Sequence, residues 1–395
     1  MAATMTRRSL VGLALGAAAA GLAGCGPEED EAVGPSGAES IAETSLEVDS
    51  DEDEASEAAD GEDDVDVSEA MEQILSFDMH ADTVDTLCMH DLEPYSSFDA
   101  DDNHEGSLAE TDASVSASRM GNVGWAQCYA IWTPDDCPSV SHLEFYRRGA
   151  AYFATQMKEH HDRFAWVKKG TGIRSAIERG KVAAILTVEN SVALEEGIQV
   201  VDEFERDGVL VCGLTWNGLN AVGGGVGTDE GLTDLGREYV AQLESRRMVV
   251  DVSHLSDASF WDVEAIVRRP FIATHSNSRA VCGVPRNLTD DQFKAICAHG
   301  GLVGLNFHMG FVTDGGGAYE FDDLVAHVEH WLDLDGEDCV ALGSDRDGSD
   351  VPSWLRDCSM QANLYQQFAK RIGEKQTRKL FFDNAANFFA RNAIA

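Results

Sequence analysis

From residue 74 onward, short apolar runs alternate with helical patterns, and few folds accommodate that rhythm. The runs are 74–80, 123–131, 182–188, 209–214, 248–252, 271–274, 302–306 and 340–343. Each is nearly continuous in apolar residues, as parallel strands buried on both faces are. Helical patterns fill 142–163, 173–179, 198–206, 234–246, 257–268, 290–298 and 322–334. Thr289-Asp290-Asp291-Gln292 fits a capping box, and Thr233 and Ser256 are good N-caps. Two more helices, at about 357–371 and 377–391, follow the last run. Eight strands alternating with helices predict an α/β fold, a (β/α)₈ TIM-type barrel. An open doubly wound sheet is the competing arrangement. No GxGxxG turn follows the first run, which disfavours the dinucleotide-binding form of it. Gly223-Gly224-Gly225 reads as a flexible loop.

In such a barrel, chemistry gathers at the C-terminal ends of the strands. The first run ends in His80 and Asp82, the third in Glu189, and the fourth in Thr215-Trp216-Asn217. The fifth ends in Asp251-Val252-Ser253-His254, the sixth in Thr274-His275-Ser276, and the seventh in Asn306-Phe307-His308. The eighth ends in Ser344-Asp345-Arg346-Asp347. Taken singly, each has a bland reading as a capping or hydrogen-bonded polar residue. Together, so many imidazoles and carboxylates at one mouth are costly without a cation. The inventory suits two divalent ions. His80, Asp82 and Glu189 would hold one; Glu189, His254 and His275 would hold the other. Such a pair, about 3.5–4 Å apart, can share a water and supply hydroxide near neutral pH. The bridged hydroxide would attack a carbonyl, and Asp345 would pass a proton to the leaving amine.

The chain in front of the first run is of another kind. Thr6-Arg7-Arg8-Ser9-Leu10 is a twin-arginine start, followed by an apolar run from Leu10 to Ala23 that is short for a membrane span. Leu22-Ala23-Gly24-Cys25 resembles a bacterial lipobox. The expectation is a signal peptide over 1–24, cleavage before Cys25, and a lipid on that sulfur. Residues 25–69 are acidic and poor in aromatic and large aliphatic residues, so they are expected to form a disordered tether. The folded domain is expected over 70–395. No Lys or Arg occurs between Arg8 and Arg119, so much of the net charge of −41 belongs to this tether. A surface this acidic excludes nucleic acid as a partner. Eight cysteines remain after Cys25, with no CxxC pair. Disulfides and buried free thiols both stay open for them.

Over residues 71 to 395 the sequence resembles the membrane (renal-type) dipeptidase family of zinc peptidases, class M19. The motifs that carry the resemblance are Asp78-Met79-His80-Ala81-Asp82, Val188-Glu189, Leu214-Thr215-Trp216-Asn217, Asp251-Val252-Ser253-His254, His275-Ser276, Arg286-Asn287 and Gly343-Ser344-Asp345-Arg346-Asp347-Gly348. The resemblance implies a (β/α)₈ barrel of the metal-dependent hydrolase kind. It implies two zinc ions (Zn2+) bridged by Glu189, with His80 and Asp82 on one and His254 and His275 on the other. It implies dipeptide substrates, often with a D-residue at the C-terminal position, and a homodimer. Arg286 matches the arginine that holds the substrate's terminal carboxylate, a task suited to a guanidinium fork. Asp345 matches the acid that handles the proton, and Asn287 belongs to the substrate-binding motif. The chain departs from the family at three places. Trp216 stands where well-studied members have His, Arg346 where they have an aromatic residue, and His308 where Tyr is frequent. Trp216 and His308 are expected to face substrate, and Arg346 to reshape a subsite. The expected protein is a lipid-anchored dipeptidase on the extracytoplasmic face of a bacterial cell membrane. Two rival readings are a di-metal hydrolase of another amide, N-acyl amino acid or lactone, and a tethered binding protein without turnover.

Overall fold

The computed structural model describes residues 73–97 and 104–393. The expected signal peptide, the Cys25 anchor and the acidic tether lie outside the described residues. Nine strands occur among these residues: β1 Leu75–Ala81, β2 Gly124–Trp132, β3 Phe164–Trp166, β4 Val182–Glu189, β5 Val209–Gly213, β6 Val249–Asp251, β7 Ile272–Ala273, β8 Leu302–Leu305 and β9 Val340–Leu342. All of their pairings are parallel. Eight of them close in the order β2-β1-β9-β8-β7-β6-β5-β4, and the β2–β4 pairing seals the ring. The closed barrel is the expected fold, and the open-sheet alternative falls.

The sequence does not announce β3. It is three residues long and pairs with Val182–Ala184, on the edge of β4 where β5 takes over from Leu186. The run expected as helix to residue 163 stops at Glu159, and β3 follows within a few residues. The last expected helix is broken into Glu374–Arg378, a π turn at Lys379–Asp383, and Asn384–Asn392.

The strands alternate in what they bury. Phe77, Met79, Ile185, Val211, Val249, Ile272, Leu302 and Ala341 form an inner core with Phe382, Ala385, Phe388 and Phe389. The C-terminal helix therefore plugs the N-terminal end of the barrel, with Phe389 4.9 Å from Phe77. The other strand face, including Tyr129, Leu186, Cys212, Val250, Val303 and Leu342, packs against the surrounding helices. With one end plugged, the C-terminal mouth is where polar side chains can converge. Cys297 and Cys339 are joined by a disulfide, with their Cα atoms 5.6 Å apart. Among the described residues no helix is long and apolar enough to cross a membrane.

Candidate metal centre

The first ligand strand is bent to its task. Asp78 lies opposite Gln127 but Ala81 lies opposite Tyr129, so β1 carries one extra residue against β2. Such a bulge re-aims side chains. Met79 belongs to the inner core, and the bulge lets His80 join it on the barrel side at the mouth. Asp78 holds the bend. It accepts from the His80 N–H (3.3 Å), the Ser344 N–H (2.8 Å) and the Ser344 hydroxyl (2.5 Å). Asp251 does the same between β6 and β7, accepting from the Ser253 and Thr274 N–H groups and the Thr274 hydroxyl. Asn306 does so after β8, accepting from the His308 N–H.

These strand ends bring His80, Asp82, Glu189, His254, His275 and Asp345 together, all buried. Glu189 divides its two oxygens. Oε2 lies 3.1 Å from His80 Nε2, which is 3.5 Å from Asp82 Oδ2. Oε1 lies 3.0 Å from His254 Nε2 and 3.9 Å from His275 Nε2. The three sets His80–Asp82–Glu189, Glu189–His254–His275 and His80–His275–Asp345 each converge within 4.8 Å.

The chemistry of the donors fits a cation. His254 Nδ1 donates to Asn217 Oδ1 (2.9 Å). His275 Nδ1 donates to the Thr274 hydroxyl (2.7 Å), whose own proton goes to Asp251 (2.5 Å). These outer partners fix both rings with a lone pair on Nε2. The two Nε2 atoms then face each other at 3.0 Å, beside the carboxylate oxygen of Glu189. Buried lone pairs converging on one point repel unless a positive charge lies between them.

The electrostatics agree. Burial pushes His254 down to about 4, and the nearby Arg286 charge adds to this. Burial also holds His275 well below the usual range, with His80 and Arg286 contributing. Burial opposes the charged forms of His80 and Glu189, but their mutual attraction prevails. His80 is raised and Glu189 is lowered. Asp345 is pushed up to about 7, first by burial, with Asp82 and Glu189 adding repulsion against the opposing pull of His80. Asn306 donates to Asp345 Oδ2 (2.9 Å) and holds that carboxyl toward the cluster.

The remaining expected residues divide between the cavity and its supports. A pocket opens above the cluster, and Trp216 and His308 are among the residues that line it. Arg286 is 3% exposed and sits behind Phe311, its guanidinium 5.6 Å from that ring. Its Nη atoms donate to Ser276 Oγ and the His275 carbonyl, while Nε has no hydrogen-bond partner. Asn287 does not line the cavity; its amide donates to the Cys282 and Phe311 carbonyls and braces the loop that carries Arg286. Arg346 does not reshape the cavity either. It is fully buried away from it, donating to Gln361 and the Leu355 carbonyl, with its guanidinium over Phe307. Nor is Gly223-Gly224-Gly225 a loose loop. The Gly225 N–H donates to the Gly218 carbonyl, and the Val226 N–H to the His254 carbonyl. A Cβ at Gly225 would lie 1.9 Å from the Trp216 oxygen. The segment thus needs glycine to pack against the backbone that presents Trp216 and His254.

Two lining aromatics escape the sequence reading. Trp132 is the last residue of β2, one position past the run as drawn from sequence, and Phe311 follows His308 on a short turn of helix. Drawing that run one residue longer would have exposed Trp132 as a strand end.

A closed parallel barrel with buried carboxylates and imidazoles at its C-terminal mouth defines a metal-dependent hydrolase. Comparison with known proteins narrows the class. The membrane dipeptidase model, peptidase family M19, matches residues 65–392, and the chain belongs to that family. It is accordingly a dipeptidase of the metallopeptidase kind. A solved dipeptidase AC of family M19 superposes with a TM-score of 0.70 and 26% identity, covering 82% of this chain and all of that one. A metallopeptidase from Rhodobacter sphaeroides, liganded with a phosphinate mimic of L-Ala-D-Ala, gives 0.70 and 25%, covering 81% of this chain and 99% of the other. An uncharacterized Klebsiella pneumoniae protein from the pqqA 5′ region is 36% identical over 187 residues, 45% of this chain and 69% of that protein.

Proposed function

We propose that the protein is a di-zinc dipeptidase, anchored by a lipid on Cys25 at the extracytoplasmic face of the cell membrane. The observation that carries the metal reading is the divided Glu189, with one oxygen turned to His80 and Asp82 and the other to His254 and His275. Two ions held by these residues would polarise the scissile carbonyl and lower the pKa of a water.

The chain's own residues supply the rest. Arg286 takes the substrate's terminal carboxylate, its Nη atoms already fixed by Ser276 and His275. Asp345, held by Asn306, carries a proton to the leaving amine nitrogen. Trp216 and His308 line the cavity and limit the water that reaches it. The likeness to the enzyme holding an L-Ala-D-Ala mimic supports D-residues at the second position. A structural disulfide, together with the lipobox-like Leu22-Ala23-Gly24-Cys25, supports an oxidising site outside the cytoplasm. A homodimer follows the family resemblance.

Metal analysis of the purified chain should find about two zinc ions per molecule, as in two-metal hydrolases. Chelation should abolish dipeptide cleavage, and zinc should restore it. A protein that binds no zinc and cleaves no dipeptide overturns the reading. Growth with labelled fatty acid should label the wild type and not a Cys25→Ala variant.

A further inference from the structure

We infer that the cavity selects dipeptides whose first residue is aromatic or large and apolar, and that Trp132 sets this selection. The inference rests on the dipeptidase reading above, with Arg286 at the terminal carboxylate. In the closed order β2-β1-β9-β8-β7-β6-β5-β4, β2 stands across the mouth from β7. Arg286 follows β7, and Phe311 follows β8, whereas Trp132 ends β2. A dipeptide held at Arg286, with its amide over the metal centre, therefore extends its first residue toward β2.

An indole wall stands there. The sheet register places Trp132 beside Glu189. The Trp132 and Trp216 rings meet edge to face at 5.1 Å. Behind them pack Tyr95, 6.0 Å from Trp132, and Phe145, so the wall has apolar support.

The charges on the lining point the same way. With the metal-centre side chains set aside, the cavity is bounded by Trp132, Trp216, His308, Phe311, Gly348 and Ser349. Among the described residues, none of these six is Lys, Arg, Asp or Glu. A charged first side chain would give up water there without gaining a counter-charge. An aromatic ring would gain buried area and edge-to-face contact with the indoles.

The test is kcat/KM of the zinc-loaded full chain on X-Ala dipeptides, with X as Gly, Ala, Leu, Phe, Asp or Lys and the second residue L or D. Phe and Leu should exceed Gly, Asp and Lys by about 10- to 100-fold, the range a hydrophobic pocket provides. Trp132→Leu should compress the Phe-to-Gly ratio to within about threefold, while Trp132→Phe should keep most of it. Because the readout is a ratio, a general loss of activity does not imitate the effect. Dipeptides cleaved with no preference at X, or with Asp or Lys preferred there, overturn the inference. So does a preference that survives Trp132→Leu. Zinc-loaded enzyme that cleaves no dipeptide overturns the dipeptidase reading itself, and this inference with it.

Discussion

His254, Asp345, Asn190 and Asp347 all have positive φ, at 70°, 61°, 65° and 63°. For residues other than glycine this region costs of order 1–3 kcal/mol each, and it persists only where surroundings enforce it. Around His254 the enforcing contacts are the Val226 N–H on its carbonyl and Asn217 on its ring. Around Asp347 they are the Ser114 and Val115 N–H groups and the Thr83 hydroxyl, all on its carboxylate. Gly348 shows how little room the site leaves. A Cβ there would lie 1.9 Å from Asp82 Oδ2 and 2.8 Å from Asp345 Oδ1. Neither carboxylate can move without leaving the cluster. Gly348→Ala should therefore lower zinc occupancy and cut kcat/KM by at least about 100-fold, since misplacing a reacting group by ~1 Å has that effect. Thermal unfolding of the metal-free protein should change by no more than about 1–3 kcal/mol, the usual range for overpacking. Metal content measured beside the melting curve decides. A variant with full zinc and wild-type turnover would refute the account.

At the scale of elements, the loops that carry Arg286 and His308 are tied together from behind by the helix Phe321–Asp333. Its His327 is fully buried. Nδ1 accepts from the Ser278 N–H (3.1 Å), and Nε2 donates to the Val312 carbonyl (2.9 Å). Only the neutral ring satisfies both partners, because a proton on Nδ1 would face another N–H. Burial lowers this histidine to about 4, against a partial opposing pull from Val312. In the unfolded chain it returns to about 6.5. Between those values the unfolded state binds the extra proton, so stability falls as the pH drops from about 6.5 to about 4. It is fully present above that window. The whole shift corresponds to about 3 kcal/mol. His327→Gln offers an acceptor and a donor that do not titrate. Denaturant unfolding at several pH values should show a shallower acid slope for the variant by roughly that amount over the window. Parallel slopes would mean that His327 contributes nothing to the acid sensitivity. The barrel and the convergence of the candidate ligands were legible in sequence because apolar runs ending in His, Asp or Glu keep their meaning whatever the loops do. Other features were hidden by their own physics. β3 is too short to show a period, and its place depends on the edge of β4 left uncovered below β5. The clamping roles of Asp78 and Asp251 do not show in sequence, since an acid near a strand end reads the same whether it binds metal or clamps a neighbouring strand. Arg346 sits in a motif with Asp345 yet points the other way, because successive residues beyond a strand need not share a face.

Across the whole molecule, chemistry and stability are placed at opposite ends of one barrel. The C-terminal mouth holds buried charge, positive φ and a polar cluster, none of which favours folding by itself. The N-terminal end is closed by Phe382, Phe388 and Phe389 against the inner core. The disulfide belongs to that end as well. Cys297 lies in the last turn of the helix Asp290–Ala298, which leads into β8, and Cys339 immediately precedes β9. Both therefore sit at strand beginnings, away from the strand ends that carry the ligands. The bond spans 42 residues of sequence, and linking such a segment restricts the unfolded chain by about 2–4 kcal/mol. Reduction should thus lower the guanidinium midpoint while leaving kcat/KM at 25 °C within about twofold, since no contact at the mouth changes. Cys339→Ala should reproduce the loss in oxidised protein and remove any further effect of reductant. Thiol titration of unfolded wild-type protein before and after reduction should differ by two groups, one per bonded cysteine. If reduction instead removes activity in step with stability, the bottom of the barrel is coupled to its mouth, and the separation proposed between them fails.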